Sequence, residues 1–471
     1  MNILFITSEA VPFVKTGGLA DVAGALFSMT GSFGHNAFMF LPCYRRIKQN
    51  FSLKTEFSGL KARMGARTYY FDLYSSGRAF LVSNDYFFNR DGIYGESGVD
   101  YPDNAERFAF FCRAVLQALN LLDIKPDIMH LNDWQTGLIP FYQKEQGMLS
   151  KDIKSVFTIH NIGYQGSFGP GILPKIGIPE RFFTIDGLEF YGKVSLLKAG
   201  IIYADKITTV SPSYEKEITA TSLGYGFEGL LRAKGVKGIL NGLDNQLWNP
   251  ETDKKLTRNY NLHDMRGKAF CKDSFCSSSG LSDSSLPLVG MIGRLSYQKG
   301  FDIIAESIDE MVKLGINMAI LGKGDVDIER KLKSMASDYP GNIYINIGFD
   351  EGLARNIYAG SDMFLMPSRY EPCGIAQMIA MRYGSIPIVR MSGGLSDTVS
   401  DFNTANPAGN GFVFKHPDKY SMLECIKRAL CMFRNRKDWK TVTGNAMGTE
   451  FTWENSVKEY LNLYSTLTGK Q

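Results

Sequence analysis

Short apolar runs alternate with amphipathic segments along the whole chain. "ILFITS", "DIMHL", "SVFTIH" and "KITTVS" in the first half read as buried strands. "PLVGMIG", "NMAILG", "NIYINIG", "DMFLMPS" and "SIPIVR" do the same in the second half. Between them, "DNAERFAFFCRAVLQALNLL" and "FDIIAESIDEMVKLG" carry the spacing of helices that bury one face. Strands alternating with helices predict parallel sheets covered by helices on both faces, an α/β class. The strand series restarts after the polar stretch "CKDSFCSSSGLSDSSLP", which reads as the boundary region, so two doubly wound, Rossmann-like lobes are expected with a cleft between them. The lobes are placed at 1–242 and 243–455. Residues 456–471 are expected as a C-terminal helix packing back on the N-terminal lobe.

A length of 471 residues fits two or three domains, two being the simplest division. The net charge of +4 is spread along the chain, with no basic block for a nucleic acid or an anionic membrane. A few placed Lys and Arg still suffice for a phosphorylated small molecule. The seven cysteines are odd in number, form no CxxC pair and have no His ligand pattern near Cys271 and Cys276, which points to reduced thiols. "NILFITS" after Met1 lacks the basic and long apolar regions of a signal peptide, and no stretch approaches the roughly 18 apolar residues of a membrane span. The expectation is a cytoplasmic protein with neither membrane nor nucleic-acid partner.

Polar residues gather where the predicted strands end, the side on which parallel α/β sheets bind ligands. Lys15 and the turn "TGGLADV" follow the first strand; Asp133 follows "DIMHLN"; His160 and Asn161 end "SVFTIHN". Arg294 ends "PLVGMIGR", Lys299 comes five residues later, Glu371 ends "DMFLMPSRYE", and a second turn, "SGGLSDTV", follows "SIPIVRM". Glycine permits positive φ and close backbone approach, and a helix starting there presents N–H groups to an anion. Each turn alone is also compatible with a plain strand-to-helix corner. Arg294 and Lys299 shift the balance to a diphosphate site, against the alternative of a solvated pair. Glu371 sits on an elbow forced by Pro372, Cys373 and Gly374, with a helix starting near Ile375. It can bind sugar hydroxyls, stabilise developing positive charge, or simply sit at a helix N-terminus. His160 can equally be a structural core histidine, and Cys373 reads as packing rather than a nucleophile.

Two patterns are set aside. "DVD", Asp325 to Asp327, follows "ILGKG" and opens the helix "IERKLKSMA", so it reads as a helix cap rather than a metal site. "GKGDVD" lacks the third glycine of a dinucleotide fingerprint. Neither a metal nor NAD is expected.

"KTGGLADV", "DYPDNAERFAFF", "LNDWQTGLIP", "TIHNIGYQG", "ILNGLDNQLWNP", "IGRLSYQKG", "IYAGSDMFLMPSRYEPCGIAQMIAMRYGSIPIVR" and "GGLSDTV", in this order and spacing, resemble the bacterial glycogen synthases and starch synthases. These are ADP-glucose-dependent glucosyltransferases of the two-lobed GT-B architecture. The resemblance implies that Lys15 and Gly18 contact the donor diphosphate and glucose, that Asp21 lies on the acceptor side, and that Asp133 lines the cleft. His160 would touch the glucose, with Asn161 beside it. Arg294 and Lys299 would neutralise the departing phosphates, and Lys272 would be the family's cleft lysine. Glu371 would serve the sugar with Cys373 and Gly374 packed on it. Gly393, Gly394 and Leu395 would close over the diphosphate, and Phe349, where tyrosine is commoner, would stack on adenine.

The resemblance implies transfer of glucose from ADP-glucose to the 4-hydroxyl at the non-reducing end of an α-1,4-glucan, with retention and release of ADP. Leaving-group charge would be met by preorganised cations and helix starts. No side chain is placed as a covalent nucleophile, so a front-face displacement is expected. Sucrose- or trehalose-type synthases place a second Glu eight positions after the first; here that position is Ile379, and Gln377 marks the glycogen-synthase pattern. A glucan-binding protein without activity would require losses among Lys15, Arg294, Lys299 and Glu371, all of which are present.

Overall fold

The computed structural model describes residues 1–96 and 98–470. The chain divides into two compact units, one of Met1–Gly242 joined by the residues from Trp453 onward, the other Leu243–Thr452. The crossing points are tied to each other: the Leu243 N–H donates to the Phe451 carbonyl at 2.6 Å, and Leu243 bridges Thr452. The C-terminal helix therefore opens at Trp453 and not at 456, and runs to Thr468. It belongs to the first unit, where Ser456 Oγ donates to the Leu240 carbonyl at 2.5 Å and Tyr464 reaches His130.

In the first unit the strands of the large sheet are β1 (Asn2–Ile6), β2 (Asn36–Pro42), β3 (Lys54–Met64), β4 (Arg67–Ser76), β5 (Ala79–Ser83), β6 (Ile128–Asn132), β7 (Lys154–Ile159), β8 (Lys206–Thr209) and β9 (Val236–Gly238). Their order is β9-β8-β7-β6-β1-β2-β5-β4-β3. The pairs from β9 through β5 are parallel, and β5–β4 and β4–β3 are antiparallel. A hairpin extends one edge of the parallel sheet, and β4 alternates inward Phe71 and Leu73 with outward Tyr70. β1 is apolar on both faces, Ile3 to Ile6 being at most 1% exposed, as a central parallel strand requires. The helix Gly18–Ser32 packs on β2 and the helix Asn104–Leu119, buried along nearly its whole length, on β3 and β5.

In the second unit β10 (Leu288–Ile292), β11 (Asn317–Gly322), β12 (Ile343–Ile347), β13 (Met363–Met366), β14 (Ile386–Arg390) and β15 (Phe412–Phe414) form one parallel sheet, ordered β12-β11-β10-β13-β14-β15. Counted from the first strand of the unit this is 3-2-1-4-5-6, the doubly wound order whose direction of winding reverses between the first and fourth strands. The stretch read as a boundary is instead mostly the helix Arg266–Ser279, seated in this unit by buried Cys271, Phe275 and Cys276. "FDIIAESIDEMVKLG" is two helices, Phe301–Ala305 and Ile308–Lys313; at the break the Ser307 hydroxyl donates back to the Ile303 carbonyl at 2.7 Å.

Candidate functional site

In the first unit, winding reverses between β1 and β6, and the residues that follow β1, β6 and β7 hold one another. The Asp133 carboxylate accepts the backbone N–H of His160 at 2.8 Å and that of Asn161. His160 Nε2 lies 2.9 Å from Asn132 Oδ1. Asp133 sits at φ 55°, ψ −178°, a region that glycine alone occupies without strain. Its own side chain anchors the next strand end, which keeps it there. Burial pushes the Asp133 carboxyl up to about 7, against the lowering effect of those two N–H donors. Burial pushes the His160 imidazole down to about 3, so it is neutral at physiological pH.

The turn after β1 opens the helix Gly18–Ser32. Lys15 Nζ pairs with Asp21 Oδ1 at 2.7 Å, joining a residue expected at the donor to one expected on the acceptor side. Gly17, the N-cap, is extended (φ −155°), and neither Gly17 nor Gly18 uses positive φ. A Cβ at Gly17 would meet nothing within 4 Å. The glycine there leaves open space rather than allowing a turn. Glu9 holds this loop, accepting the N–H groups of Thr16 and Gly17. Sequence reading missed Glu9; its one signal was a carboxylate three residues after an apolar strand.

In the second unit the predicted residues collect where β10 and β13 end, at the winding reversal. Arg294 follows β10, and its guanidinium donates to Gln298 Oε1 at 3.4 Å. Lys299 Nζ lies 2.5 Å from Glu371 Oε2, and the Ser368 hydroxyl donates to the same oxygen at 3.2 Å. The elbow carrying Glu371 is braced by residues the sequence did not single out. Arg369 forms a bidentate pair with Asp302 (2.7 Å for both bonds) and stacks on Tyr297; Arg390 Nε donates to the Ser368 carbonyl. The helix after the elbow runs Ala376–Arg382, with Ile375 as its N-cap.

The second Gly-Gly turn differs in kind from the first. Gly393 has φ 43°, and a Cβ there would lie 2.0 Å from the Glu371 carbonyl oxygen. A Cβ at Gly394 would lie 2.1 Å from the Cys373 carbonyl oxygen. The Gly394 N–H donates to the Glu371 carbonyl at 3.0 Å. The turn packs backbone on backbone against the elbow, with Leu395 and Cys373 buried. Gly374 adopts φ 71°, and buried Gln377 closes the corner through Nε2 to the Cys373 and Gly374 carbonyls and Thr398 Oγ1. Phe349 follows β12 on the same side of the sheet and is 81% exposed.

Lys272 does not join them. Its Nζ pairs with Asp362 Oδ2 at 2.8 Å, and Asp362 stands immediately before β13, where it also accepts the Leu288 N–H at the start of β10. That is the amino end of the strands, a full strand length from Arg294 and Glu371. Lys272 acts with Lys268, whose Nζ binds the carbonyls of Ala359, Ser361 and Tyr383, in holding the helix Arg266–Ser279 to the sheet. Asp325 is the N-cap of the helix Val326–Asp338, accepting the N–H groups of Asp327 and Ile328. Among the described residues, no group of three or more His, Cys, Asp or Glu could hold a metal ion, and no helix is long and apolar enough to cross a membrane.

Two doubly wound domains, with cationic and acidic side chains at the winding reversal of the second, place the protein among the GT-B glycosyltransferases. Residues 2–233 match the starch synthase catalytic domain, and residues 277–442 match the glycosyl transferases of group 1. The chain belongs to the glycogen synthase and starch synthase family. It is 44% identical to a glycogen synthase of Syntrophotalea carbinolica over 98% of each chain, and 42% identical to one of Fervidobacterium nodosum over 100% of this chain and 99% of that one. The catalytic domain of starch synthase IV from Arabidopsis thaliana, solved bound to ADP and acarbose, superposes with a TM-score of 0.91 at 32% identity over 99% of each chain. A sucrose-phosphate synthase of Thermosynechococcus elongatus shares the fold, with a TM-score of 0.66 at 16% identity over 99% of each chain.

Proposed function

We propose that the protein transfers glucose from ADP-glucose to the 4-hydroxyl at the non-reducing end of an α-1,4-glucan, with retention, and releases ADP. The observation that carries this reading is the convergence of Arg294, Lys299 and Glu371 at the reversal between β10 and β13. Arg294 and Lys299 offset the charge that develops on the departing diphosphate, as preorganised cations do. Glu371 lies within reach of the sugar end of the same group and stabilises the oxocarbenium-like centre. Phe349 offers its exposed ring face to adenine. Gly393, Gly394 and Leu395 close on the diphosphate, with Cys373 and Gly374 packed beside the sugar.

Lys15 and Gly18 serve the diphosphate, and Asp21 and Asp133 serve the acceptor. His160, neutral and fixed by Asn132, donates or accepts a hydrogen bond at the glucose without bringing a charge, and Asn161 supports it. The reaction uses neither a metal ion nor a nicotinamide, and the protein works in the cytoplasm. Incubation with ADP-glucose and glycogen tests the reading: ADP is released and the glucan grows by α-linked glucose, detected by NMR. Glycogen binding without ADP release would leave a non-catalytic glucan-binding protein. A preference for UDP-glucose in direct competition would overturn the donor assignment.

A further inference from the structure

The motif "DYPDNAERFAFF" has no role in the reading above, yet its side chains lead by hydrogen bonds to the Lys15–Gly18 loop. Arg107 is completely buried; it donates to the carbonyls of Phe87 (2.8 Å) and Ile93 (2.9 Å) and to Asn104 Oδ1 (2.7 Å). Asn104 Nδ2 donates to the Tyr94 carbonyl at 2.8 Å. The Tyr94 hydroxyl donates to Glu9 Oε1 at 2.7 Å and lies 2.7 Å from Ser8 Oγ. Glu9, 3% exposed, then accepts the Thr16 N–H at 2.5 Å, the Thr16 hydroxyl at 2.8 Å and the Gly17 N–H at 3.3 Å.

A buried carboxylate is costly, and an apolar side chain of similar size in its place is often neutral or stabilising for a fold. Every hydrogen bond that compensates Glu9 comes from the loop or from the tyrosine that the motif holds. These hydrogen bonds thus constrain the loop rather than the core. The loop needs outside constraint, because Gly17 is exposed, has open space where a side chain would lie and gives the helix no side-chain cap.

We propose that Glu9 and Tyr94 are positioning residues: through Thr16 and Gly17 they fix the aim of Lys15 and of the first N–H groups of the helix Gly18–Ser32 at the anionic part of the donor. This rests on the reading that the loop serves the donor diphosphate. Asn104 and Arg107 are the anchor that keeps the Tyr94 hydroxyl over Glu9.

The test uses the full-length enzyme with Tyr94→Phe, Glu9→Ala and Glu9→Gln. In Tyr94→Phe and Glu9→Ala, KM for ADP-glucose rises about tenfold, the worth of one hydrogen bond to a charged group, while KM for glycogen changes less than about twofold. Glu9→Gln, which keeps an acceptor for the two loop N–H groups, recovers most of the loss. Hydrogen exchange without substrate gives a second readout: the amides of Thr16 and Gly17 exchange at least about tenfold faster in Glu9→Ala, and those of the helix Asn104–Leu119 keep their rate. A lower melting temperature with unchanged donor KM and unchanged loop exchange would make Glu9 merely structural and overturn the proposal. If Glu9→Ala does not fold, Tyr94→Phe, which removes one hydroxyl, decides alone. Absence of ADP release by the wild type would refute the functional reading, whereas the loop exchange rates would still decide whether Glu9 holds the loop.

Discussion

Lys299 Nζ meets Glu371 Oε2 at 2.5 Å, and the Glu371 side chain is only 6% exposed. One residue follows β10 and the other β13, so the pair spans the winding reversal of the second unit. Removing one partner leaves the other buried and uncompensated, which costs more than removing both. Lys299→Ala is therefore expected to lose about 1–3 kcal/mol of stability in chemical denaturation. Its turnover falls by about a hundredfold or more, as when one preorganised donor is removed from a transition-state site. Lys299→Ala combined with Glu371→Ala is more stable than Lys299→Ala alone. Equal stabilities for the single and double variants would show that the pair is not coupled.

Much of this was legible from apolar runs, because a central parallel strand must be apolar on both faces. All nine runs named in the sequence are strands, and the cationic and acidic residues written just after β10 and β13 do meet. The hairpin β3–β4 was missed because the reading followed continuous apolar runs, whereas this edge carries the alternating pattern of half-buried strands. Lys272 was misplaced for a different reason. Helical spacing shows which face a lysine occupies but not which end of the sheet lies beneath it, and Asp362 fixes it at the amino end. The clamps Arg369–Asp302 and Tyr94–Glu9 join residues 67 and 85 positions apart, so no local pattern marks them.

The Asp133 carboxyl, held up at about 7 by burial, makes one pH dependence specific. Its pKa in the fold lies above its ordinary 3.8, so its stabilising contribution is complete below about pH 4. As the pH rises through about 7, the unfolded chain ionises first and that contribution is lost. Asp133→Asn keeps an oxygen for the His160 N–H but does not titrate. The variant should gain stability relative to the wild type between pH 4 and 8, by about 4 kcal/mol at most. Denaturation curves at several pH values measure the difference. A constant difference across this range would show that Asp133 is ionised throughout.

His130 imposes the opposite dependence. Its Nδ1 lies 2.5 Å from the Tyr464 hydroxyl and its Nε2 2.6 Å from the Thr158 hydroxyl, and burial pushes the imidazole down to about 3. The depressed pKa gives stability that is present above about pH 6.5 and is lost as the pH falls toward 3. His160 behaves alike, so unfolding in this window takes up a proton at each ring. His130→Gln removes one of them. The slope of stability against pH between 6 and 4 should fall by about 1.4 kcal/mol per pH unit, whatever the change in absolute stability. An unchanged slope would mean that His130 is already charged in the fold.

The two Gly-Gly turns look alike in sequence but answer to different constraints. At Gly393 positive φ and the Glu371 carbonyl, 2.0 Å from a would-be Cβ, leave no room for a side chain. Gly393→Ala must move the elbow that carries Glu371, so it should lose about 2 kcal/mol or more of stability and most of its activity. At Gly17 the backbone is extended and the space beyond it is open, so Gly17→Ala should stay within about 0.5 kcal/mol of the wild type. If the donor's phosphates approach that space, as the proposed reaction requires, the added methyl raises KM for ADP-glucose while leaving the melting temperature alone. Thermal denaturation and donor titration of both variants separate the cases. Loss of stability in Gly17→Ala comparable to that in Gly393→Ala would mean that the first turn is packed like the second. Wild-type donor KM in Gly17→Ala would move the phosphate site away from the first turn.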